Sequence, residues 1–243
     1  MFEQSDNPLM ILCDFDGTIS ERDVTDVLLQ RFGQSGCAEL EAAWEAGEIG
    51  SRQCMSRQIA LLDASQSELD DCLREVAIDP HFKRFCETAA AAKAVVHIVS
   101  DGLDYAIRAI LQRHDLGSIP VFANRLVQTG ERRWRLDFPY AAPDCEKRSG
   151  HCKCRHLARY RQAVRGVLYV GDGASDYCVS QHADLVLAKG NLIRYCDQAG
   201  ISYRPVMGFA DVLRLWKVLW SNPALRLSSV SALPANLSPP HIT

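Results

Sequence analysis

The sequence predicts an α/β fold: a doubly wound parallel sheet core with a small helical cap domain inserted after the first strand. Three observations lead there. First, four short apolar runs each end in a polar loop. Residues 9–13 lead into Asp14-Phe15-Asp16-Gly17-Thr18, and residues 94–99 into Ser100-Asp101-Gly102. Residues 167–170 lead into Gly171-Asp172-Gly173, and residues 185–187 into Ala188-Lys189. Short, unalternating runs rich in Val, Leu and Ile suit strands buried on both faces of a parallel sheet. Second, amphipathic stretches separate them: Leu103, Ala106, Ile107, Ile110 and Leu111 fall on one helical face. Third, from about Asp23 to Thr88 there are helical patterns and no convincing strand. A Rossmann-like core of this kind carries its functional loops at the carboxyl ends of its strands.

In chain order, the first strand enters the insert. Val24, Val27, Leu28 and Phe32 form a stripe that stops at Gly33. Cys54, Met55, Ile59 and Leu62 form a second stripe, and Leu69, Cys72, Leu73 and Val76 a third, with Ser67 as the expected N-cap. Residues 121–136 read as two strands reversing at Thr129-Gly130. The expected division is a core of 8–22 and 89–220, a cap of 23–88, and a tail of 221–243. That tail is rich in Ser, Pro and Ala and is expected to be disordered. At about 150 residues per domain, 243 residues allow one domain with such an insert.

Composition narrows the function. With 27 Lys and Arg against 30 Asp and Glu, the net charge of −3 excludes a nucleic-acid binder that relies on overall positive charge. A hydrophobic content of 47% excludes a disordered chain. No apolar run is long enough for a membrane span, and the first residues have no basic, apolar leader pattern. The ten cysteines are scattered through helical and stranded segments, so the expectation is a cytoplasmic protein with reduced thiols. Oligomeric state has no signature here.

Asp14 and Asp16 carry the chemistry. In extended backbone, residues i and i+2 point the same way, so both carboxylates face one site while Phe15 turns inward. Such a pair can hold a hard cation such as Mg²⁺, or divide attack and proton transfer between them. Alternatively, an isolated Asp-x-Asp caps a turn. Ser100 follows another buried strand and precedes a helix, a setting that suits phosphate. Asp172 and Asp176 follow a third strand. Like charges gathered at one sheet edge are costly without a cation. Lys153, at the start of a helical stretch, can supply counter-charge, although a surface lysine is the plainer reading.

Together these motifs resemble the haloacid dehalogenase-like hydrolases: Asp14-Phe15-Asp16-Gly17-Thr18, Ser100, Lys153 and Gly171-Asp172-Gly173-x-x-Asp176, in order, over the chain to about residue 215. The helical insert is similar to the cap of the phosphoserine phosphatase branch. Ile78-Asp79-Pro80, Ile98-Val99-Ser100-Asp101-Gly102 and Phe122-Ala123-Asn124 are similar to the 2-hydroxy-3-keto-5-methylthiopentenyl-1-phosphate phosphatase-like group.

The resemblance implies a Mg²⁺-dependent phosphomonoesterase acting on a small phosphorylated metabolite through an aspartyl phosphate. Asp14 would be the nucleophile and Asp16 the acid and base, with Asp16 also reaching the metal through its carbonyl. Asp14, Asp172 and Asp176 complete the metal set. Gly17, Thr18, Ser100, Asp101, Gly102 and Lys153 would hold the phosphoryl group. Asp23 lies where an acidic residue contacts substrate in that branch, and equally where a helix takes an acidic start. One departure stands out: relatives set the lysine in Gly-Cys-Cys-Lys-Pro, whereas here it lies in Gly150-His151-Cys152-Lys153-Cys154, with Lys147 as the fallback.

Other readings compete. Cys145, His151, Cys152, Cys154 and His156 could bind zinc, but the spacing lacks a second ligand pair at finger-like distance, which favours a structural role. Arg155, Arg159, Arg161 and Arg165 fit a solvated helix face better than a polyanion site. Carbon–halogen cleavage is disfavoured because halide departure needs no acid such as Asp16. Phosphoserine hydrolysis, phosphotransfer to a second alcohol and a non-catalytic phospho-ligand sensor are the alternatives.

Overall fold

The computed structural model describes residues 7–145 and 147–221; the tail expected to be disordered lies outside them from residue 222. Seven strands form one sheet in the order β4-β3-β2-β1-β5-β6-β7. These are β1 (Leu9–Cys13), β2 (Val95–Leu103), β3 (Val121–Gly130), β4 (Arg133–Asp137), β5 (Gly166–Gly171), β6 (Leu185–Ala188) and β7 (Tyr203–Pro205). All neighbours run parallel except the β3–β4 pair. β1 and β5 are buried along their whole length, as expected of central parallel strands.

Between β1 and β2 lie α1 (Val24–Phe32), α2 (Cys37–Glu45), α3 (Ser51–Ala60), α4 (Gln66–Arg74) and α5 (Phe82–Ala91). The stripe that stops at Gly33 is α1, whose Gly33 amide bonds back to the Leu29 carbonyl. Helix α4 is capped two residues before the expected cap. Its N-cap is Ser65, which forms a capping box with Glu68, so reciprocal bonding outweighs the serine at 67. Helix α5 packs on β2 and on α10 (Phe209–Ser221) through Phe82, Phe85, Phe209 and Trp216, with ring centroids 4.7–5.8 Å apart across the two helices.

The β3–β4 hairpin turns at Glu131-Arg132, two residues beyond Thr129-Gly130. A ladder irregularity between Gln128 and Gly130 lets Gly130 pair with Arg133. The hairpin also grips the insert. Trp134 Nε1 donates to the Ala64 carbonyl at 2.7 Å, and Arg132 forms ion pairs with Asp63 and Glu68. On the other edge follow α8 (Tyr177–Ser180) and α9 (Gly190–Ala199), while α6 (Asp104–Arg113) and α7 (Lys153–Tyr160) lead out of β2 and into β5. All ten cysteines carry free thiols. Among the described residues, no helix is long and apolar enough to cross a membrane.

Candidate active site

β1, β2 and β5 all end at one sheet edge, and their loops bring the four sequence motifs together. Asp14 follows β1, with its amide bonded to the Val170 carbonyl of β5 at 2.9 Å. Phe15 is fully buried, so the strand's alternation turns Asp14 and Asp16 to the site side. Lys153, the first residue of α7, projects its Nζ to 2.7 Å from Asp14 Oδ2 and 2.6 Å from Asp176 Oδ1. Lys147, by contrast, is exposed at the rim of the cleft.

Asp176 is the best-satisfied carboxylate. Its Oδ2 accepts from the Asp172 and Gly173 amides at 2.8 and 3.1 Å, and Tyr169 donates its hydroxyl to Oδ1. Burial alone would push Asp176 up, but the Lys153 ammonium and these bonds hold it below the usual carboxylate range. Burial works against the charge on Lys153 too, yet Asp14, Asp176 and Asp101 keep it firmly charged. Asp14 goes the other way, raised by burial and then by the Asp176 charge despite Lys153.

Asp172 Oδ1 accepts from Thr18 Oγ1 at 2.7 Å. Gly17 sits at φ +68°, and a Cβ there would fall 2.5 Å from Asp172 Oδ2, so this turn takes only glycine. Oxygens of Asp14, Asp172 and Asp176 lie within 4.8 Å of one another. Three hard oxygen donors facing a single buried ammonium fit a hard divalent cation. The Asp16 side chain turns away from this group: Oδ1 accepts from the Val24 amide at 2.8 Å and Oδ2 from Ser100 Oγ at 3.3 Å. Burial, and then the Asp23 charge, push Asp16 up to about 8.

β2 runs past the expected end at Val99 to Leu103, with a register shift between Val99 and Leu103. Ser100 and Gly102 therefore sit in a bulged strand end, where the Gly102 amide donates to Ser100 Oγ at 2.9 Å. A Cβ on Gly102 would collide with Asp16 Oδ2. The Asp101 carboxylate faces the lysine loop instead of the cleft centre, accepting from the His151 amide at 2.6 Å. Asp23 caps α1 by accepting from the Asp26 amide at 3.0 Å, and it also lines the cleft.

Two residues at the site have no role assigned from the sequence: Ser175, at an unspecified position of the fourth motif, and Lys189. Ser175 Oγ lies 2.8 Å from Lys153 Nζ and 3.2 Å from Asp14 Oδ2. Lys189, just after β6, donates from Nζ to the Gly17 carbonyl at 2.8 Å. Its place at a strand's carboxyl end is the signal that could have marked Lys189 as a site residue. A cleft of about 1520 Å³ lies over Asp14, Asp16, Ser100, Lys153, Asp172 and Ser175, and Asp23, Asp26, Glu41 and Gln58 also line it.

This sheet with its convergent loops has the fold of a substrate-bound phosphoserine phosphatase. Residues 9–192 match the family described as "Putative Phosphatase", and the chain belongs to that family. It is 27% identical over 210 residues to 2-hydroxy-3-keto-5-methylthiopentenyl-1-phosphate phosphatase of Brevibacillus brevis, covering 85% of this chain and 94% of that protein. It is 28% identical over 228 residues to Pdp3-interacting factor 1 of Schizosaccharomyces pombe, covering 88% and 97%. Among solved structures, a phospho-aspartyl intermediate analogue of phosphoserine phosphatase superposes with a TM-score of 0.67 at 18% identity. That match covers 86% of this chain and 99% of the other, and it shares the fold.

Proposed function

We propose that this phosphatase hydrolyses small phosphomonoesters in two displacements, with Asp14 as nucleophile and Asp16 as acid and base. A carboxylate oxygen of Asp14 attacks phosphorus, the ester oxygen leaves, and protonated Asp16 gives that oxygen its proton. Asp16, now ionised, takes a proton from water, whose oxygen attacks phosphorus and frees Asp14 and phosphate. The carrying observation is geometric: Lys153 Nζ lies 2.7 Å from Asp14 Oδ2 while the Asp16 carboxyl accepts from Ser100 Oγ at 3.3 Å, and burial favours the protonated form of Asp16 that the first step requires.

In this reading Lys153, Ser100, Thr18 and the amides near Gly17, Asp101 and Gly102 hold the phosphoryl oxygens. Asp14, Asp172 and Asp176, with the Asp16 carbonyl, hold Mg²⁺. The ion supplies charge neutralisation that lets a dianionic phosphate approach the Asp14 carboxylate. Residues 23–88 cap the core of 8–22 and 89–220, and the protein works in the cytoplasm.

The cap wall favours a substrate whose alcohol part is cationic. Asp23, Asp26 and Glu41 open onto the cleft between its two walls. Burial, then Asp23 and Glu41, push Asp26 up to about 6, the mark of a wall short of positive charge. A substrate ammonium offsets that repulsion, whereas a neutral thioether does not.

The test is a phosphomonoester panel with Mg²⁺ that includes phosphorylated amines, phosphoserine and thioether esters, run with and without an acceptor alcohol. Phosphate release, fastest from the amines, is expected. Release from no ester would sink the reading, and transfer to the alcohol in place of water would redefine the enzyme as a phosphotransferase.

A further inference from the structure

The chemistry proposed above gives no role to Lys189, which stands at the carboxyl end of β6 between two loops of the site. Its backbone is fastened to one of them. The Lys189 amide donates to the Gly171 carbonyl at 2.9 Å, and the Leu192 amide, in the first turn of α9, donates to the Asp172 carbonyl at 2.8 Å. Gly190, at φ +54°, passes so close that a Cβ there would lie 3.1 Å from that same carbonyl. Residues 189–192 therefore move with the loop that carries Asp172.

The Lys189 side chain reaches the other loop. It is half-buried, and its Nζ donates to the Gly17 carbonyl at 2.8 Å. A charged donor makes this one of the stronger classes of hydrogen bond. Gly17 holds the left-handed turn at φ +68° and lies against Asp172 Oδ2, while the next residue, Thr18, donates to Asp172 Oδ1 at 2.7 Å. Lys189 thus spans the two loops, with its backbone on the Asp172 side and its ammonium on the turn that follows Asp14.

That bridge has a repulsion to resist. Asp14, Asp172 and Asp176 bring oxygens within 4.8 Å of one another. Among the described residues no other set of three such ligand atoms is so close, so the cysteines and histidines around α7 assemble no zinc site. Like charges this near push their loops apart. Lys153 bonds to Asp14 and Asp176, whereas Asp172 is held through Thr18 and the turn that Lys189 fastens.

We propose that Lys189 is a positioning residue: by tying the Gly17 carbonyl to the Asp172 loop, it holds Asp14 and Asp172 at the spacing a divalent cation requires. Its consequence for turnover rests on the metal-dependent reading above, but the metal affinity it governs is measured without turnover. Position and charge act here in opposite senses. An ammonium that acted by charge alone would repel the cation, so its removal would tighten binding. An ammonium that holds the turn favours the cation, so its removal loosens binding.

Calorimetric titration of Mg²⁺ into the full chain reads that sign. Lys189→Met should weaken Mg²⁺ binding by about tenfold or more with a native circular dichroism spectrum, the usual scale for a residue that supports metal ligands. Lys189→Gln should also weaken it, which keeps the test open if the first variant does not fold. Lys189→Arg retains a charged donor and should stay within about threefold of the parent. Arg194→Met, at an exposed position of α9, should change nothing. In hydrolysis of p-nitrophenyl phosphate, Lys189→Met should need proportionately more Mg²⁺ for half-maximal rate, with KM for the ester at saturating Mg²⁺ unchanged. Tighter or unchanged Mg²⁺ binding in Lys189→Met, or an equal loss in Arg194→Met, would overturn the inference. A parent that binds Mg²⁺ and shows the Lys189 effect, yet releases no phosphate, would sink the phosphatase reading alone.

Discussion

The ammonium of Lys153 lies 2.7 Å from Oδ2 of Asp14, with side chains only 1% and 6% exposed. A lysine buried so deeply is held charged by carboxylates, and the carboxylates tolerate burial through it. Lys153→Met removes one partner and leaves Asp14 and Asp176 facing each other. Turnover should fall about 10²-fold or more, and unfolding in denaturant should show a loss of about 3–5 kcal/mol at neutral pH. Adding Asp14→Asn to that variant should recover part of the stability and none of the turnover. Unchanged stability in Lys153→Met would mean that the pair is not buried as described.

Gly102 sets the approach of Asp16 to Ser100. Any Cβ at this position strikes Asp16 Oδ2 and lies 3.1 Å from Ser100 Oγ. In Gly102→Ala, the acid is displaced while the strand can still form, so kcat should drop by roughly 10²-fold with a native circular dichroism spectrum. Full activity in this variant would rule out Asp16 in its present position as the proton donor.

Acid sensitivity should trace to buried neutral histidines. Burial, then Lys153, lower His151 to about 4; burial, then His151 and His97, lower His156 to about 3. In the unfolded chain both bind a proton below about pH 6.5, so the unfolded state holds more protons and stability falls as pH drops from there toward those values. His156 packs between Phe122 and Tyr160, with centroids 4.3 and 5.1 Å away, and its Nε2 has no hydrogen-bond partner among the described residues. His156→Phe should flatten the slope between pH 6 and 4 and gain about 1–3 kcal/mol at pH 4 relative to the parent. An unchanged slope would exclude His156 as a source.

Asp26 makes its side of the cleft pH-dependent. Its carboxyl, at about 6, is largely protonated at pH 5 and charged at pH 7. KM for a phosphorylated amine should therefore fall as pH rises through that range, by about two- to fivefold for an exposed charge pair. Asp26→Asn should remove that part of the change, leaving the substrate phosphate's own titration. Identical KM profiles for Asp26→Asn and the parent would argue against a cationic subsite.

Much of the site is legible in the sequence because parallel sheets make it so. Buried strands appear as short apolar runs, and the loop after each run lands on one edge; Asp14, Ser100 and Asp172 stand out on that ground alone. Lys153 needs the family resemblance, because a lysine at a helix start looks like any other until the fold buries it. Ser175 escapes notice because a serine beside an aspartate has no periodicity or charge of its own. Helix α2 has no buried residue, so it leaves no apolar stripe. The hairpin's hold on the insert through Trp134 and Ala64 joins residues 70 apart, and local sequence patterns carry no such contact.

The central claim is that phosphorus is transferred to Asp14. Acid-quenching the enzyme during turnover of a phosphorylated amine with Mg²⁺, then mapping its peptides by mass, tests that most directly. A phosphoryl group on the tryptic fragment of residues 1–22, absent from a folded Asp14→Asn variant that no longer turns over, is the predicted result. Turnover surviving in Asp14→Asn, or phosphate attached elsewhere in the chain, would contradict it.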